Sequence, residues 1–276
     1  MTAKPTVTIV TPSLNQARFL EATIDSVLNQ DYQEIEYIVV DGGSKDGSVG
    51  IIGKYEKQMA YWVSEADTGQ ANAINKGFRK ATGEIFAWLN SDDMLAPSAA
   101  KIAAYYLMKY PEVGVVYGDR LHIDAQGNVI GINQCPSYDQ GMFKRNFTLP
   151  QETVFFRKEL FEEVGGLDES LHFAMDFELW CKTSKVTHMR HIPMFMGYFR
   201  EHEDAKSVAV HRAGKDDSTR FLEEHAKVYH RHFGKSLPSP AKMKWYRLIR
   251  RITLLLEQGS DGYRREVAFI RSLISE

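Results

Sequence analysis

The stretch Glu84-Ile85-Phe86-Ala87-Trp88-Leu89-Asn90-Ser91-Asp92-Asp93 constrains this chain more than any other. Its apolar part follows Gly83 and is too brief for a helix, so the pattern predicts a buried strand. The strand then ends abruptly in four polar residues, two of them adjacent carboxylates. In an open α/β sheet, ligands bind beyond the carboxyl ends of the strands. A pair of acids there can hold a hard divalent cation, which in turn holds a phosphate. The alternative is that Asp92 and Asp93 cap the helix expected near Pro97-Ser98. A cap needs one acid at the helix start, whereas this is a pair several residues before it.

Strands and helices alternate up to that point. Val7-Thr8-Ile9-Val10-Thr11 is β-branched and stops at Pro12-Ser13, and a helix is predicted from about Ala17 to Asn29. Ile35 to Val40 is a second strand, running into the turn-rich Asp41-Gly42-Gly43-Ser44-Lys45-Asp46-Gly47. A helix near Ser48–Lys57, a short strand at Tyr61–Ser64 and a helix from roughly Gly69 to Lys80 lead to the Trp88 strand. This rhythm argues for a parallel sheet of βαβ units. The polar clusters at Thr11–Asn15, Asp41–Ser44 and Asn90–Asp93 then share one sheet edge and could surround one ligand. Neither a G-x-G-x-x-G after the first strand nor a G-x-x-x-x-G-K-[ST] is present, which argues against a dehydrogenase or a P-loop phosphatase.

At 276 residues the chain has room for one large α/β domain, or for one domain with an appendage. A formal net charge of -2 gives no support for nucleic-acid binding. Cys135 and Cys181 lie far apart without metal-ligand spacing, which suggests a reducing compartment. The N-terminal residues run straight into a strand, and no apolar run approaches the roughly 18 residues that span a bilayer. The expectation is a cytoplasmic protein.

Four segments carry a resemblance: Val7-Thr-Ile-Val-Thr-Pro-Ser-Leu-Asn15, Tyr37-Ile-Val-Val-Asp-Gly-Gly-Ser-Lys-Asp-Gly-Ser48, Glu65-Ala-Asp-Thr-Gly-Gln-Ala-Asn-Ala-Ile-Asn-Lys-Gly77, and Ala81-Thr-Gly-Glu running to Leu89-Asn-Ser-Asp-Asp93. In this order the first half closely resembles the family-two nucleotide-sugar glycosyltransferases of the GT-A fold, with weaker matches to about Ser207. The resemblance implies a Rossmann-like, mostly parallel α/β sheet flanked by helices. It also implies that Asp41 reads a uracil ring, that Asp92 lies near the ribose, and that Asp93 binds Mn²⁺ or Mg²⁺ bridging the diphosphate. Thr11, Pro12 and Ser13 would line the base pocket, with Asn15 beside them, and Asp67 would sit beside the nucleotide. Asp41 also reads as a turn residue before two glycines, although only an acceptor at that strand end suits a ring N–H, whereas Asp67 reads equally as the N-cap of the next helix.

Beyond the acid pair, a helix from about Ser98 to Tyr110 is followed by a strand, Val113–Asp119, and a hairpin of Leu121–Ile123 with Val129–Ile132 across Gln126-Gly127-Asn128. Here a parallel nucleotide half (residues 1–120) is expected to give way to a mixed acceptor half (121–210). Gln151–Arg157 reads as a strand, and Phe173–Lys182 as a helix with Asp176 in its first turn and Trp180 on the same face. In the resembled family a carboxylate before a Glu-Leu-Trp run is the catalytic base, which draws the proton from an acceptor hydroxyl. The plain alternative is an acid complementing its own helix dipole. The Tyr198–Ser207 segment resembles the family's Arg-x-His turn, implying that His202 reaches the diphosphate or metal and that Arg200 helps neutralise the leaving group. A solvated loop histidine is the competing reading. No Gln-x-x-Arg-Trp follows, the pattern of processive synthases.

From about Arg212 the chain reads as a helical extension (211–276). Lys242–Leu256 is amphipathic, with Trp245, Leu248, Ile252 and Leu255 on one stripe and Lys244, Arg247 and Arg251 on another. Such a helix suits a membrane surface, its own domain or a second subunit. The expected activity is inverting, metal-dependent transfer from a nucleoside-diphosphate sugar, UDP-linked, to a hydroxyl of a glycan or lipid-linked glycan in bacterial-type surface glycan assembly. The alternatives are a nucleotidyltransferase that makes the sugar nucleotide and a non-catalytic binding subunit. The first would want a Gly-rich basic loop where Pro12-Ser13-Leu14-Asn15 stands.

Overall fold

A computed structural model describes residues 4–206 and 215–275, with side chains from residue 218 in the second segment. The N-terminal half alternates as expected: β1 (Val7–Ser13), α1 (Ala17–Leu28), β2 (Ile35–Asp41), α2 (Ser48–Tyr55), β3 (Tyr61–Ser64), α3 (Gln70–Lys80) and β4 (Ile85–Trp88). There follow β5 (Met94–Leu95), α4 (Ala99–Lys109), β6 (Val113–Ile123), β7 (Val129–Asn133), β8 (Phe155–Arg157), α5 (Lys158–Glu163), α6 (Met175–Thr183) and β9 (His188–Arg200). Three helices complete the described chain: α7 (Lys215–Phe233), α8 (Pro240–Gln258) and α9 (Asp261–Ser275).

The strands form one sheet in the order β3-β2-β1-β4-β8-β6-β9-β5, with β7 hydrogen-bonded to β6. β3, β2, β1 and β4 are mutually parallel, whereas β8 runs antiparallel to both β4 and β6. The parallel half is buried on both faces, as its near-continuous apolar runs require. Val10, Val40 and Trp88 pack with Ile74, Phe78, Phe156 and Trp180 on one side. Ile9, Val39 and Ala87 pack with Leu20, Ile24 and Ile102 on the other. α3 lies so close to β1 that a Cβ at Gly77 would come within 2.4 Å of a Val10 methyl. Trp180 of α6 stacks on Trp88 with ring centroids 5.5 Å apart, which fixes α6 against the strand that leads to the acid pair.

Three expectations change. Val113–Asp119 and Leu121–Ile123 are one continuous strand, β6, held along its length by the parallel β9. Gln151–Thr153 is a 3₁₀ turn, and only Phe155–Arg157 is a strand. Side chains in that turn bond elsewhere: Gln151 Nε2 donates to Trp88 O at 2.7 Å, and Thr153 Oγ1 donates to Pro150 O at 2.8 Å. The Phe173 helix begins two residues later, at Met175. Ser207, the boundary at residues 210–211 and the helical start near Arg212 lie outside the described residues.

The C-terminal helices are tied to the sheet. Val228 and Tyr229 of α7 and Ile270 of α9 are buried in the two cores. Arg250 of α8 donates to Asn133 Oδ1 and Gln134 O. The opposite side of α8 is bare: Trp245 is 59% exposed and Leu255 70%, with Lys244, Arg247 and Arg251 exposed too. Among the described residues the Trp245 stripe is therefore not packed on the chain's own domain.

Candidate active site

The parallel register sets Ser13 beside Asp41, and Asp41 beside Ser64, along one sheet edge. Asp41 is fully buried. Its Oδ2 accepts from Gly43 N (3.0 Å), Ser44 N (2.9 Å) and Ser64 Oγ (2.7 Å), and its Oδ1 accepts from Ser44 Oγ (2.5 Å). These bonds fit the turn reading, with three on Oδ2 and one on Oδ1, which leaves Oδ1 a second acceptor position. Asn15 also bonds internally. It sits in the left-handed region (φ 53°), its Oδ1 accepts from Lys45 N at 2.9 Å, and its own N–H donates to Ser44 Oγ at 2.8 Å. Thr11 is buried with its hydroxyl on Tyr37 Oη, and Pro12 is buried beside it. Ser13 Oγ is buried and has no partner among the described residues.

Asp67 is half-buried just before α3. It is not the N-cap, a position held by Gly69. Instead its Oδ1 accepts from Gly69 N at 2.8 Å, closing a tight turn ahead of the helix.

At the end of β4, Asp92 and Asp93 meet the end of β9. His202 Nε2 lies 3.1 Å from Asp92 Oδ2, and its ring packs 4.4 Å from Phe19. His202 Nδ1 is buried without a partner among the described residues. Asp93 is only 2% exposed; Oδ1 accepts from Arg200 N at 2.9 Å, and Oδ2 accepts from Asn90 Nδ2 at 3.3 Å. Burial, with Asp92 and Glu152 nearby, pushes the Asp93 carboxyl well above the usual range. Arg200 is buried behind this turn. Its guanidinium donates to Asp92 O (2.8 Å) and Asp124 O (3.2 Å), so it braces the acid pair and is not free to reach a leaving group.

No group of three or more His, Cys, Asp or Glu side chains forms a metal cage among the described residues. A Mg²⁺- or Mn²⁺-type ion does not require one, because it takes one or two carboxylates and completes its shell with water and substrate phosphates. The Asp92–Asp93 pair fits that need: a buried carboxyl short of counter-charge, beside a histidine with an unpartnered ring nitrogen.

Asp176 stands one helical turn before Trp180 and is half-buried. Its Oδ1 accepts from Phe177 N at 2.6 Å. Burial raises its pKa, and the opposing pull of His225 and that N–H does not cancel the rise. Arg120, ion-paired with Glu152, acts electrostatically on both Asp93 and Asp176. Its charge thus offsets a part of the rise at each acid. A second link crosses the same region: Gln70 Nε2 donates to Asn90 Oδ1, while Lys206 Nζ donates to Gln70 Oε1 and His172 O. Burial lowers the Lys206 pKa to about 8.

Sequence reasoning missed Arg120, Glu152, Gln70, Lys206 and Glu224. Glu224 Oε2 accepts from His172 N (2.8 Å), Phe173 N (2.6 Å) and Ala174 N (3.3 Å), immediately ahead of α6. One signal was available for Glu152: a charged residue entering an apolar run is either at a turn or paired.

A parallel half-sheet ending in carboxylates, joined to a mixed half carrying a further acid, is the GT-A glycosyltransferase architecture. The Glycosyl transferase family 2 model matches residues 8–165, and this chain belongs to that family. A glycosyltransferase of Rickettsia typhi described as uncharacterised is 31% identical over 194 residues, 67% of this chain and 61% of the relative's length. Another of the same description from Mycobacterium tuberculosis is 31% identical over 195 residues, 67% of this chain and 71% of the relative. Among solved structures, a mannosyltransferase from Pyrobaculum calidifontis in complex with GDP-Man and Mn²⁺ superposes with a TM-score of 0.64 and 21% identity, covering 100% of this chain and 82% of that one. S. aureus TarS in complex with UDP-GlcNAc gives 0.63 and 19%, covering 84% and 73%. At these identities the structural likeness is one of fold.

Proposed function

We propose that this chain transfers one sugar per encounter from a nucleoside-diphosphate sugar, UDP-linked, to a hydroxyl acceptor, with inversion at the anomeric carbon. The observation that carries the reading is the meeting of Asp92, Asp93 and His202 at the end of β4, with Asp176 in electrostatic reach of the same Arg120. The GDP-Man and Mn²⁺ named for the mannosyltransferase and the UDP-GlcNAc named for TarS support a nucleotide-sugar donor and a divalent ion.

In this reading Asp93, with His202 and Asp92 beside it, would hold Mn²⁺ or Mg²⁺, which when bound would supply charge neutralisation for the departing diphosphate. Asp176 takes the proton from the acceptor hydroxyl as it attacks the face opposite the diphosphate. Its raised pKa brings its basicity nearer to neutral pH, where a general base works best. Arg200 and Asn90 keep the Asp93 carboxylate oriented, and Trp180 on Trp88 keeps the Asp176 helix in register with β4.

The acceptor is proposed as a glycan or lipid-linked glycan, and the bare Trp245 stripe of α8 with its flanking Lys244, Arg247 and Arg251 favours peripheral contact with an anionic membrane. No described helix is long and apolar enough to cross one. The test is a panel of UDP-, GDP- and dTDP-sugars incubated with Mn²⁺ or Mg²⁺, scored for release of nucleoside diphosphate. Metal-dependent release from a UDP-sugar is the expected result. Pyrophosphate release from a nucleoside triphosphate and a sugar phosphate would support a nucleotidyltransferase instead. Binding without turnover of any donor would support a binding subunit.

A further inference from the structure

We propose that Lys206 is a positioning residue for the divalent ion: through the side chains of Gln70 and Asn90 it orients the Asp93 carboxylate. This rests on the metal-dependent reading above and names what holds the ion's protein anchor in place.

The side chains concerned come from distant parts of the sequence and meet at the site. Lys206 follows shortly after His202 in the segment beyond β9, Gln70 opens α3, and Asn90 stands between β4 and the acid pair. Lys206 Nζ donates to Gln70 Oε1 at 3.1 Å, Gln70 Nε2 donates to Asn90 Oδ1 at 2.7 Å, and Asn90 Nδ2 donates to Asp93 Oδ2 at 3.3 Å. The chain has one polarity, and its two ends set it. An ammonium only donates, so Gln70 must turn its oxygen to Lys206 and its NH₂ to Asn90. Asn90 must then meet that NH₂ with its oxygen, which leaves its own NH₂ for Asp93. A carboxylate that holds a cation is ionised and only accepts, so the far end agrees with the near one. Either amide in the reverse orientation would set oxygen against oxygen.

The surroundings of Lys206 give the chain its purpose. The side chain is half-buried, and among the described residues no carboxylate lies within ion-pair distance of Nζ. Its other contacts are neutral: His172 O, and the face of Phe173 with its centroid 5.4 Å away. Moving an ammonium out of water onto neutral groups is costly. The chain supplies an anion at its far end, because hydrogen bonds in series polarise one another. The flexible four-carbon stem lets Lys206 follow a small shift of His172 without releasing Gln70.

The test is a double-variant cycle between Lys206 and Asn90, which the chain links only through Gln70. Mn²⁺ affinity in the presence of UDP is measured by calorimetry for the wild type, Lys206→Met, Asn90→Ala and the two combined, with melting temperatures for each. Asn90→Ala keeps the backbone bond from Asp93 N to Asn90 O at 3.1 Å and removes only the side-chain bonds. Each single variant is expected to bind Mn²⁺ about 10–100-fold more weakly, the usual cost of losing a group that orients a metal ligand. The combined variant should bind no more weakly than Asn90→Ala, because Lys206 acts only through Asn90. In the metal-free protein, the Asn90 side-chain amide resonances should move in Lys206→Met. Losses that add would overturn the proposal and put Lys206 on another route, such as holding the His202 segment or touching the diphosphate. Unchanged Mn²⁺ affinity in folded Lys206→Met, or unmoved Asn90 resonances, would overturn it as well. Should Lys206→Met fail to fold, Gln70→Met breaks the same chain one bond further along and takes its place in the cycle. A folded wild type without Mn²⁺-dependent UDP binding would remove the metal reading itself, and this assignment with it.

Discussion

Glu224 is the sharpest lever on the candidate base, because it acts on Asp176 without touching it. Its Oε2 gathers three consecutive backbone N–H groups, those of His172, Phe173 and Ala174, and Arg220 holds its other oxygen at 3.1 Å. Those N–H groups belong to the approach and N-cap of α6, where no intrahelical partner exists. Replacing Glu224 with Ala leaves them to water or to nothing. Water reaches the two half-buried ones more easily, whereas the Ala174 donor is buried and costs about 1–3 kcal/mol if unsatisfied. Loss of a negative charge at the helix start adds about 0.3–1 kcal/mol. The expected destabilisation is therefore roughly 1–4 kcal/mol, concentrated at the first turn that carries Asp176. A displacement of that turn by an ångström can cost on the order of 10²-fold in rate. Turnover of Glu224→Ala should fall by roughly 10–100-fold, while UDP and metal affinity, proposed to rest on the β1–β4 edge and His202, should stay as in the wild type. The pH signature follows from the sign of the shift. Burial raises the Glu224 carboxyl, but the three N–H groups and Arg220 outweigh it and hold the pKa below the usual value. Its contribution is thus present above the unfolded-state pKa and is lost as pH falls through the folded-state one. Glu224→Gln should show a flatter loss of stability on acidification than the wild type. Wild-type turnover in a Glu224→Ala protein with a lowered melting temperature would refute the reasoning, since it would show that the clamp stabilises the fold without positioning Asp176.

Three further outcomes are expected. Asp93→Ala should abolish Mn²⁺-dependent UDP binding in a folded protein, and calorimetry giving unchanged metal-dependent affinity would remove Asp93 as the anchor. Asp176→Asn keeps the Phe177 N–H bond but not the basicity, so turnover should drop by roughly 10² or more with binding intact; because burial raises the Asp176 pKa, the acid limb of the wild-type profile should be shifted upward from that of an exposed aspartate, and retention of configuration in the product would exclude the base role. Charge reversal at Lys244, Arg247 and Arg251 should weaken co-sedimentation with anionic vesicles, at about 1 kcal/mol for each charge, and binding indifferent to both charge and salt would count against membrane contact.

What the sequence made legible was local. Each strand of the parallel half is a short apolar run closed by turn residues, and each helix between them carries its own period, so β1 to β4 follow from patterns a few residues long. The placement of β8 does not. Phe155–Arg157 is a three-residue strand that enters antiparallel between β4 and β6, and its partners Ile85, Phe86, Val115 and Val116 are set by tertiary packing. The bracing of the candidate site is equally non-local. Lys206 meets Gln70 across 136 positions, and Glu224 reaches the start of α6 from a helix about 50 residues later. A period in the sequence gives a face, not the residue opposite it.

Asp41 and Asp67 show the same limit at atomic scale. Both acids belong to segments that resemble the family's nucleotide-binding motifs, and in one dimension the strand-end acid has the stronger claim on the base. A residue at the last position of a parallel strand points to one face, and on that face Asp41 finds Ser64 and the N–H groups of its own turn. The next position points to the opposite face, and there the chain has a glycine. What the strand end lacks, the loop before α3 supplies, with Asp67 entering the gap above Gly42. The two carboxylates thus end in different surroundings, one inside its own turn and one above a glycine. The difference lies in one missing Cβ, and it becomes visible only when the two loops are brought together.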